Sequence, residues 1–321
     1  MLKVGVLGAG YLGRIHLKNL NESPHYSIIG YYDPKVELSQ HNNSLKPIKK
    51  FNSAEELIDC VDVVDIVTPT IIHHQMAQLA IKKGKHVFIE KPITKTEQQA
   101  NQIIKLANNN NIKGQVGHVE RFNPAFKAVE KKIDNPMFIE THRLAEFNPR
   151  GTDVSVVLDL MIHDIDIALQ IVDSKVAQVH ASGVPVISKT PDICNARITF
   201  ENGCVANLTA SRISLKKMRK SRIFQKDTYI SIDFLSKKVE YVKLKDAPDR
   251  PEDYSLILKN AEGEKKQLIF DNPEVKSTNA ILDELNSFAQ SIINNTKPKP
   301  SLEDGAKALK LALEIEKLCN K

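Results

Sequence analysis

Residues 159–166 (DLMIHDID) place four ionisable side chains inside a run, residues 156–172, that otherwise has the apolar spacing of a buried helix. On an α-helix, positions i, i+4 and i+7 lie on one face, so Asp159, His163 and Asp166 form a polar stripe. An imidazole with a pKa near ~6.5 can accept a proton at neutral pH and return it. The pattern predicts a general base at His163, with Asp159 orienting its ring or holding a substrate. A histidine bonded to an aspartate only for structure is the alternative.

A glycine-rich turn follows the first apolar run, residues 3–7, and precedes a helical pattern over residues 14–20. In this GxGxxG arrangement Gly8 allows the tight turn, Gly10 lets backbone amides approach a pyrophosphate, and Gly13 lets helix and strand pack closely. Such turns also occur for packing alone. The predicted cofactor-binding residues of the turn are Gly8, Gly10, Tyr11, Leu12 and Gly13.

Asp33 ends the second predicted strand, residues 26–32, about 20 residues beyond Gly13. This is the distance at which an acid binds the adenosine ribose hydroxyls of a dinucleotide. Its charge repels a 2′-phosphate, so NAD is predicted over NADP, although the neighbouring Lys35 could admit NADP. An exposed aspartate opening an Asp-Pro turn is the alternative.

Strands and helices alternate through the first third of the chain. The helices are predicted at residues 54–60, 74–83 and 96–108, and the strands at 63–68, 87–90 and 114–117. This alternation predicts a doubly wound parallel sheet, a Rossmann domain over residues 1–119, with ligands at the carboxyl ends of its strands. The polar groups predicted at those ends are Thr68, Thr70, His73, Glu90 and Lys91.

Long strand-like segments dominate the remainder, residues 120–321. They cover residues 138–145, 176–188, 196–213, 222–234, 238–244, 254–260 and 266–270, with a hairpin signal at Asn202-Gly203. We expect an α+β domain with a large, mostly antiparallel open sheet and the helix over 156–172 on one face. Two helices, residues 279–294 and 302–318, close the chain, the last able to pack back on the Rossmann domain.

The composition is that of an average soluble protein, with 41% hydrophobic and 26% charged residues and a formal net charge of +6. No apolar segment has the length of a membrane span or signal peptide, so a cytoplasmic location is expected. The four cysteines lack metal-binding spacing, so no metal site is predicted. The basic run at residues 216–222 carries no nucleic-acid motif, so nucleic acid is not an expected partner.

Glu90-Lys91-Pro92 at a strand end, together with GxGxxG and the Asp159/His163 pair, resembles the Gfo/Idh/MocA oxidoreductases along the whole chain. Residues 117–124 (GHVERFNP), 153–166 and 201–212 (ENGCVANLTASR) are similar to family members that oxidise the 3-hydroxyl of UDP-N-acetylglucosamine. The resemblance implies NAD-dependent formation of a 3-keto sugar for lipid A or surface polysaccharide. Another nucleotide sugar or a free polyol such as inositol is an alternative substrate. A regulatory NAD-binding protein without turnover is the non-enzyme alternative.

The resemblance also implies residue roles. Lys91 lies beside the nicotinamide and favours a developing alkoxide, with a surface lysine before a turn proline as the alternative. Glu90 binds the nicotinamide ribose or positions Lys91. Thr68, Thr70 and His73 resemble the family's loop over the cofactor and are predicted to bind it, with threonines that only form the turn as the alternative. Arg121 and Asn123, at the domain junction, are predicted to contact the sugar or its diphosphate. Arg143, Arg150 and Arg212 are predicted contacts because a diphosphate favours guanidinium partners. An open sheet also suggests a homodimer or homotetramer formed through it.

Overall fold

The computed structural model describes residues 1–38, 47–148, 154–248 and 256–320. These form two compact units, one of Met1–Phe122 with Asn279–Leu311 and the other of Asn123–Thr278 with Ala312–Lys321. The predicted fold class is confirmed: a parallel α/β sheet is followed by a large, mostly antiparallel sheet. Helix α8 contributes its first part to one unit and its last part to the other.

The first unit contains a five-stranded parallel sheet in the order β2-β1-β3-β4-β5. Helices follow its strands, as in a doubly wound fold, and each helix buries an apolar stripe. The strands are β1 (Leu2–Leu7), β2 (Tyr26–Tyr32), β3 (Val63–Ile66), β4 (His86–Glu90) and β5 (Gly114–Gly117). The helices are α1 (Tyr11–Glu22), α2 (Ala54–Asp59), α3 (Thr70–Lys82) and α4 (Glu97–Asn109).

Side-chain caps fix the starts of two helices in this unit. Ser53 accepts the Glu56 N–H at the start of α2, and Thr96 accepts the Gln99 N–H at the start of α4. Such caps satisfy N–H groups that the helix itself leaves without a partner. The unit is completed by α7 (Ala280–Ile293), whose Phe288 packs near Phe88 in the core, and by the first part of α8 (Leu302–Cys319).

The second unit contains a nine-stranded sheet in the order β13-β14-β12-β11-β10-β6-β9-β8-β7. The β6–β9 pair is parallel and the other pairs are antiparallel. The strands are β6 (Phe138–Leu144), β7 (Val176–Val184), β8 (Ile193–Phe200), β9 (Val205–Ser211), β10 (Met218–Gln225), β11 (Thr228–Asp233), β12 (Lys238–Asp246), β13 (Ile257–Lys259) and β14 (Lys265–Asp271). Its helices include α5 (Pro124–Val129) and α6 (Ile162–Ile171).

Alternating burial along β6, β8 and β9 places one face of this sheet in the core, where α6 packs on it. The opposite face carries partly exposed side chains, as the period of two requires. The predicted hairpin turn lies between β8 and β9, where Gly203 has φ +87° and donates its N–H to the Phe200 carbonyl.

The continuous α-helix predicted over residues 156–172 is wrong in its first part. Val157–Met161 form a π-helical turn, and the regular α-helix α6 begins only at Ile162. Apolar periodicity does not distinguish a π turn from an α turn, because both bury the same side of the segment. The π turn is common at functional sites and changes the angular spacing between Asp159 and His163.

In the part of the chain that the structure describes, no helix is both long and apolar enough to cross a membrane.

Candidate functional site

The three glycines of the turn after β1 differ in their surroundings. Gly8 has φ +96°, and a Cβ there would lie 2.6 Å from the Val67 carbonyl oxygen. A Cβ on Gly13 would lie 2.0 Å from the Gly8 carbonyl oxygen, so α1 can pack against the turn only without a side chain. Within the described residues, a Cβ on Gly10 would meet no atom within 4 Å. The space beside Gly10 is therefore open to a ligand.

The first turn of α1 suits an anionic group. Among the described residues no side chain caps this helix at Gly10, and its first turn contains no acidic residue. The backbone N–H groups and the positive end of the helix dipole thus favour a phosphate. Tyr11, 87% exposed, and Leu12, 36% exposed, stand on the same turn.

Asp33 follows β2 and is fixed against the glycine turn. Its Oδ2 accepts the Ala9 N–H at 2.8 Å, and its Oδ1 accepts the N–H groups of Lys35 and Val36 at 2.8 and 2.9 Å. Burial opposes its ionisation, but the three N–H donors and the Lys50 charge outweigh burial and lower the pKa of Asp33. A fixed negative charge therefore lies beside the glycine turn, at the end of β2. Together with the opening at Gly10 and the uncapped helix start, these residues fit a dinucleotide.

His73 connects the loops that follow β3 and β4. Its Nε2 lies 2.8 Å from the Thr68 carbonyl oxygen and its Nδ1 lies 2.9 Å from the Pro92 carbonyl oxygen. Burial lowers the pKa of His73, while the two carbonyl groups act in the opposite direction. Thr70 is the first residue of α3. The imidazole thus ties the segment around Thr68 to the segment that carries Lys91.

Glu90, the last residue of β4, directs its carboxylate into the unit. Oε2 accepts the backbone N–H of Lys91 at 3.1 Å, and Oε1 lies 3.2 Å from Nε2 of His16. The other ring nitrogen of His16, Nδ1, lies 2.9 Å from Oδ2 of Asp65. Asp65, His16 and Glu90 are all buried, and Lys91 is half-buried. We call these three buried residues the His16 cluster.

The pKa values in the His16 cluster follow from its charges. Burial lowers the pKa of His16, but Asp65 and Glu90 outweigh it and raise that pKa well above 6.5. Burial raises the pKa of Asp65 and outweighs the opposing effect of His16. Burial also acts to raise the pKa of Glu90, yet hydrogen bonding and charge from His16, with the charge of Lys91, lower it. The cluster thus shifts the two carboxyl groups in opposite directions, favouring the ionised form of Glu90 and disfavouring that of Asp65.

His16 and Asp65 were missing from the sequence predictions. Asp65 is the one charged residue in the apolar run VVDIV, residues 63–67, which includes β3. A buried acid needs a partner, so the sequence alone could have marked Asp65 as a residue with a specific contact. The partner is 49 positions away, so the sequence could not identify it. His16 lies one turn beyond Gly13 on the side of α1 that faces the sheet.

In the second unit, the predicted proton-transfer residues lie on the π turn and the start of α6. Asp159 is exposed, His163 is half-buried and Asp166 is buried. Asp164, not singled out in the sequence, forms a two-point ion pair with Arg143, with Oδ2 and Oδ1 each 2.9 Å from a guanidinium nitrogen. This buried pair fixes the first turn of α6 to β6.

The predicted substrate contacts that lie within the described residues have protein partners of their own. Arg212 donates to the carbonyls of Val154 and Pro191 and pairs with buried Asp192. Its guanidinium, like that of Arg143, is committed to a buried ion pair. Of the other three predicted contacts, two have partners in the chain and one falls outside the described part of the chain. They are Arg121, 3.5 Å from Asp304; Asn123, which caps α5 and donates to the Phe234 carbonyl; and Arg150, which lies outside the described residues.

Known protein families match both units. Residues 2–118 match the oxidoreductase family with an NAD-binding Rossmann fold, and residues 114–228 match the GFO/IDH/MocA C-terminal domain. The chain is also 36% identical over 236 residues, 73% of its length, to UDP-N-acetylglucosamine 3-dehydrogenase of Acidithiobacillus ferrooxidans, of which 75% is covered. The chain belongs to the Gfo/Idh/MocA oxidoreductases. The resemblance seen in the sequence and the expectation of an NAD(P)-dependent dehydrogenase are thereby confirmed.

Solved structures of this family share the fold. The UDP-N-acetylglucosamine 3-dehydrogenase of A. ferrooxidans has a TM-score of 0.87 at 29% identity, with 99% of this chain and 97% of that chain covered. The scyllo-inositol dehydrogenase of Lactobacillus casei, solved with NAD(H) and scyllo-inositol, has a TM-score of 0.78 at 23% identity, with coverage of 100% and 97%. A scyllo-inositol 2-dehydrogenase of Bacillus subtilis is 28% identical over 66% of this chain and 68% of its own length.

Proposed function

We propose that this protein oxidises the C3 hydroxyl of UDP-N-acetylglucosamine to a ketone with NAD as hydride acceptor. The observation that carries the proposal is the similarity to the A. ferrooxidans 3-dehydrogenase, which exceeds that to the inositol enzymes in both identity and TM-score. The product belongs to the synthesis of lipid A or surface amino sugars, in the cytoplasm. This assignment gives the substrate, the reacting carbon and the electron acceptor.

The chain's own residues then have distinct tasks. A nicotinamide, when bound, supplies the carbon that accepts the hydride. Lys91 stabilises the oxygen of the reacting alcohol as its negative charge develops. His163 accepts the hydroxyl proton and returns it in the reverse reaction. Asp159 orients the His163 ring or holds the sugar. Assigning the base to His163 rests on its chemistry and on the family resemblance.

NAD is proposed over NADP because of Asp33. Its carboxylate is fixed by three backbone N–H groups and its pKa is lowered, so it is ionised at neutral pH. A fixed charge at this position attracts ribose hydroxyls and repels a 2′-phosphate. The positive charge of Lys50 acts on Asp33 and would favour a 2′-phosphate, so a test with both coenzymes decides between NAD and NADP.

The substrate is tested by incubating the protein with NAD and a panel of UDP-sugars, myo-inositol and scyllo-inositol. We expect reduced nicotinamide and a product two mass units lighter than UDP-N-acetylglucosamine. Oxidation of an inositol but not of UDP-sugars would change the proposed substrate and leave the proposed type of reaction unchanged. Tight NAD binding without turnover on any of these compounds would favour the regulatory alternative.

We further propose a homodimer or homotetramer formed through the open face of the second unit's sheet. Phe138, Phe224 and Tyr229 form an aromatic group on adjacent strands of that face, with ring centroids 6.0 and 5.2 Å apart, and Phe224 is 37% exposed. Aromatic side chains grouped on a sheet face suit contact with a second copy. Phe224→Glu should shift the mass measured by light scattering toward the monomer. An unchanged mass, or a monomeric wild type, would contradict the proposal.

A further inference from the structure

We propose that His16 and Asp65 are positioning residues for Lys91. Asp65 holds the His16 ring, the ring holds the Glu90 carboxylate, and Glu90 holds the backbone at Lys91. The inference rests on the proposed function for the role of Lys91, but its structural half does not. All four residues belong to the first unit.

The chain of contacts is continuous and directional. The His16 ring lies between Oδ2 of Asp65, at 2.9 Å, and Oε1 of Glu90, at 3.2 Å, so each nitrogen faces a carboxylate. The remaining Glu90 oxygen accepts the Lys91 N–H at 3.1 Å. A carboxylate held on both sides cannot rotate freely, and the residue whose N–H it receives is fixed with it. The backbone at Lys91 is therefore held in one orientation at the end of β4.

The surrounding backbone keeps the His16 cluster in place. Gly13 packs α1 so closely against the glycine turn that His16, one turn later, has a fixed position above the sheet. Gly117 on neighbouring β5 makes room for the carboxylate, because a Cβ there would lie 2.6 Å from Oε1 of Glu90. The edge of the His16 ring also contacts Phe88, with centroids 5.8 Å apart. The cluster thus links the cofactor turn to the residue beside the reacting carbon.

Stability alone is a poor explanation for this cluster. Burying charged groups costs desolvation free energy, and apolar side chains of similar volume often stabilise a core at least as well. Two carboxyl groups flank one imidazole in this cluster, and the Lys91 charge acts on the Glu90 carboxylate. A function at Lys91 accounts for both the composition and the location of the cluster.

The variants are chosen to separate positioning from folding. His16→Leu removes both contacts, whereas Asp65→Asn keeps the size and one oxygen that can accept a hydrogen bond from the His16 ring. Leu57→Ala is the matched control, because Leu57 is fully buried in α2 of the same unit and its apolar side chain takes no part in the hydrogen bonds and ion pairs of the cluster. Melting temperature is measured for all three variants.

Two readouts are then compared. Amide hydrogen exchange resolved to Lys91 reports whether its N–H remains held, and it needs no substrate. The second readout is kcat for UDP-N-acetylglucosamine, with the kinetic isotope effect from deuterium at C3. A misplaced reacting group lowers the rate of the chemical step, typically by up to ~10²-fold for a shift of ~1 Å. Since chemistry then limits turnover more strongly, the isotope effect should stay equal or rise.

The expected result for His16→Leu is faster exchange at Lys91 and a kcat lower by roughly 10–10²-fold, with KM for NAD nearly unchanged. Asp65→Asn should show smaller changes in the exchange at Lys91 and in kcat. Leu57→Ala should change neither the exchange at Lys91 nor kcat below its melting temperature. If His16→Leu does not fold, Asp65→Asn alone decides. Unchanged exchange at Lys91, or an equal loss of kcat in Leu57→Ala, would overturn the positioning role. A wild type without sugar oxidation would instead refute the proposed function, and the exchange data would still test the contacts.

Discussion

Alanine at Gly10 or at Gly13 should have opposite consequences, although the two glycines are only three residues apart. Gly10 has φ −64°, which alanine adopts readily. A smaller loss of chain entropy favours the folded variant by ~0.4–1 kcal/mol, and the poorer N-cap opposes it by about 1 kcal/mol. Gly10→Ala should therefore change the free energy of unfolding by less than about 1 kcal/mol.

The same methyl group occupies the opening beside the first turn of α1, in which Gly10 has no neighbour within 4 Å among the described residues. Each hydrogen bond to a charged group contributes ~1.5–3 kcal/mol, so displacing a pyrophosphate from one or two N–H groups should raise the Kd for NAD by about 10²-fold. Isothermal titration calorimetry measures the Kd, and urea denaturation measures the free energy of unfolding.

Gly13→Ala should instead fail by instability. Its Cβ would lie 2.0 Å from the Gly8 carbonyl oxygen, so α1 must move away from the turn. Overpacking typically costs ~1–3 kcal/mol, and here the added methyl group meets a backbone atom. The better helix propensity of alanine offsets at most about 1 kcal/mol of this cost. The reasoning would be refuted if Gly10→Ala bound NAD as wild type does, or if Gly13→Ala matched the wild type in urea.

Lys91→Met should retain NAD affinity in calorimetry but lose at least ~10²-fold in kcat for the UDP-sugar, because no cation remains to stabilise the alkoxide; an unchanged rate would contradict its role. His163→Asn should lower kcat by on the order of 10²-fold, measured as reduced nicotinamide formed, and near-normal turnover would exclude His163 as the base. Asp33→Ser should narrow the preference for NAD over NADP by about tenfold in kcat/KM, since the charge repelling a 2′-phosphate is gone; an unaltered ratio would assign the preference elsewhere. Asp192→Asn replaces the buried carboxylate that accepts the N–H groups of Val186, Ile187 and Ser188 and pairs with Arg212, and it should cost about 3 kcal/mol in neutral urea denaturation. Burial opposes the ionisation of Asp192, but hydrogen bonds from these backbone N–H groups and from Ser188 outweigh it and lower its folded pKa. The contribution of Asp192 is therefore present above pH ~3.9 and lost on acidification, so the variant and wild type should converge in acid; parallel curves would contradict this.

Local spacing was sufficient to predict the glycine turn after β1 and the acid after β2. The tight turn at Gly8, the close packing at Gly13 and the acid after β2 each depend on neighbouring backbone, so a few residues of sequence determine them. The alternation of strands and helices likewise predicts the parallel sheet, since each element carries its own periodicity. Family membership and fold class followed from these short-range patterns and the motifs beside them.

Contacts between distant segments could not be predicted. Asp65 and His16 are 49 positions apart, and Arg143 and Asp164 are 21 apart, so neither pair leaves a spacing rule in the sequence. Arg212 was singled out for its charge, yet its neighbours in space, such as Asp192, depend on how β8 and β9 pair. Arginines that serve ligands and arginines that serve buried carboxylates have the same appearance in a sequence.

The helix containing His163 shows a different limit. The buried side of this helix was identified from the apolar spacing of residues 156–172, and Met161, Ile162 and Ile165 are fully buried. The π turn before Ile162 was not, because hydrophobic periodicity records which side of a segment is buried and not how its backbone hydrogen bonds close.

The central claim, hydride transfer from the sugar C3 to NAD, is tested most directly with UDP-N-acetylglucosamine carrying deuterium at C3. The proposed reaction predicts that the label leaves the sugar, giving an unlabelled 3-keto product and singly deuterated reduced nicotinamide. Oxidised sugar that retains the deuterium would show that another carbon reacts. An unreacted labelled sugar beside an oxidised polyol would assign the enzyme to a different substrate.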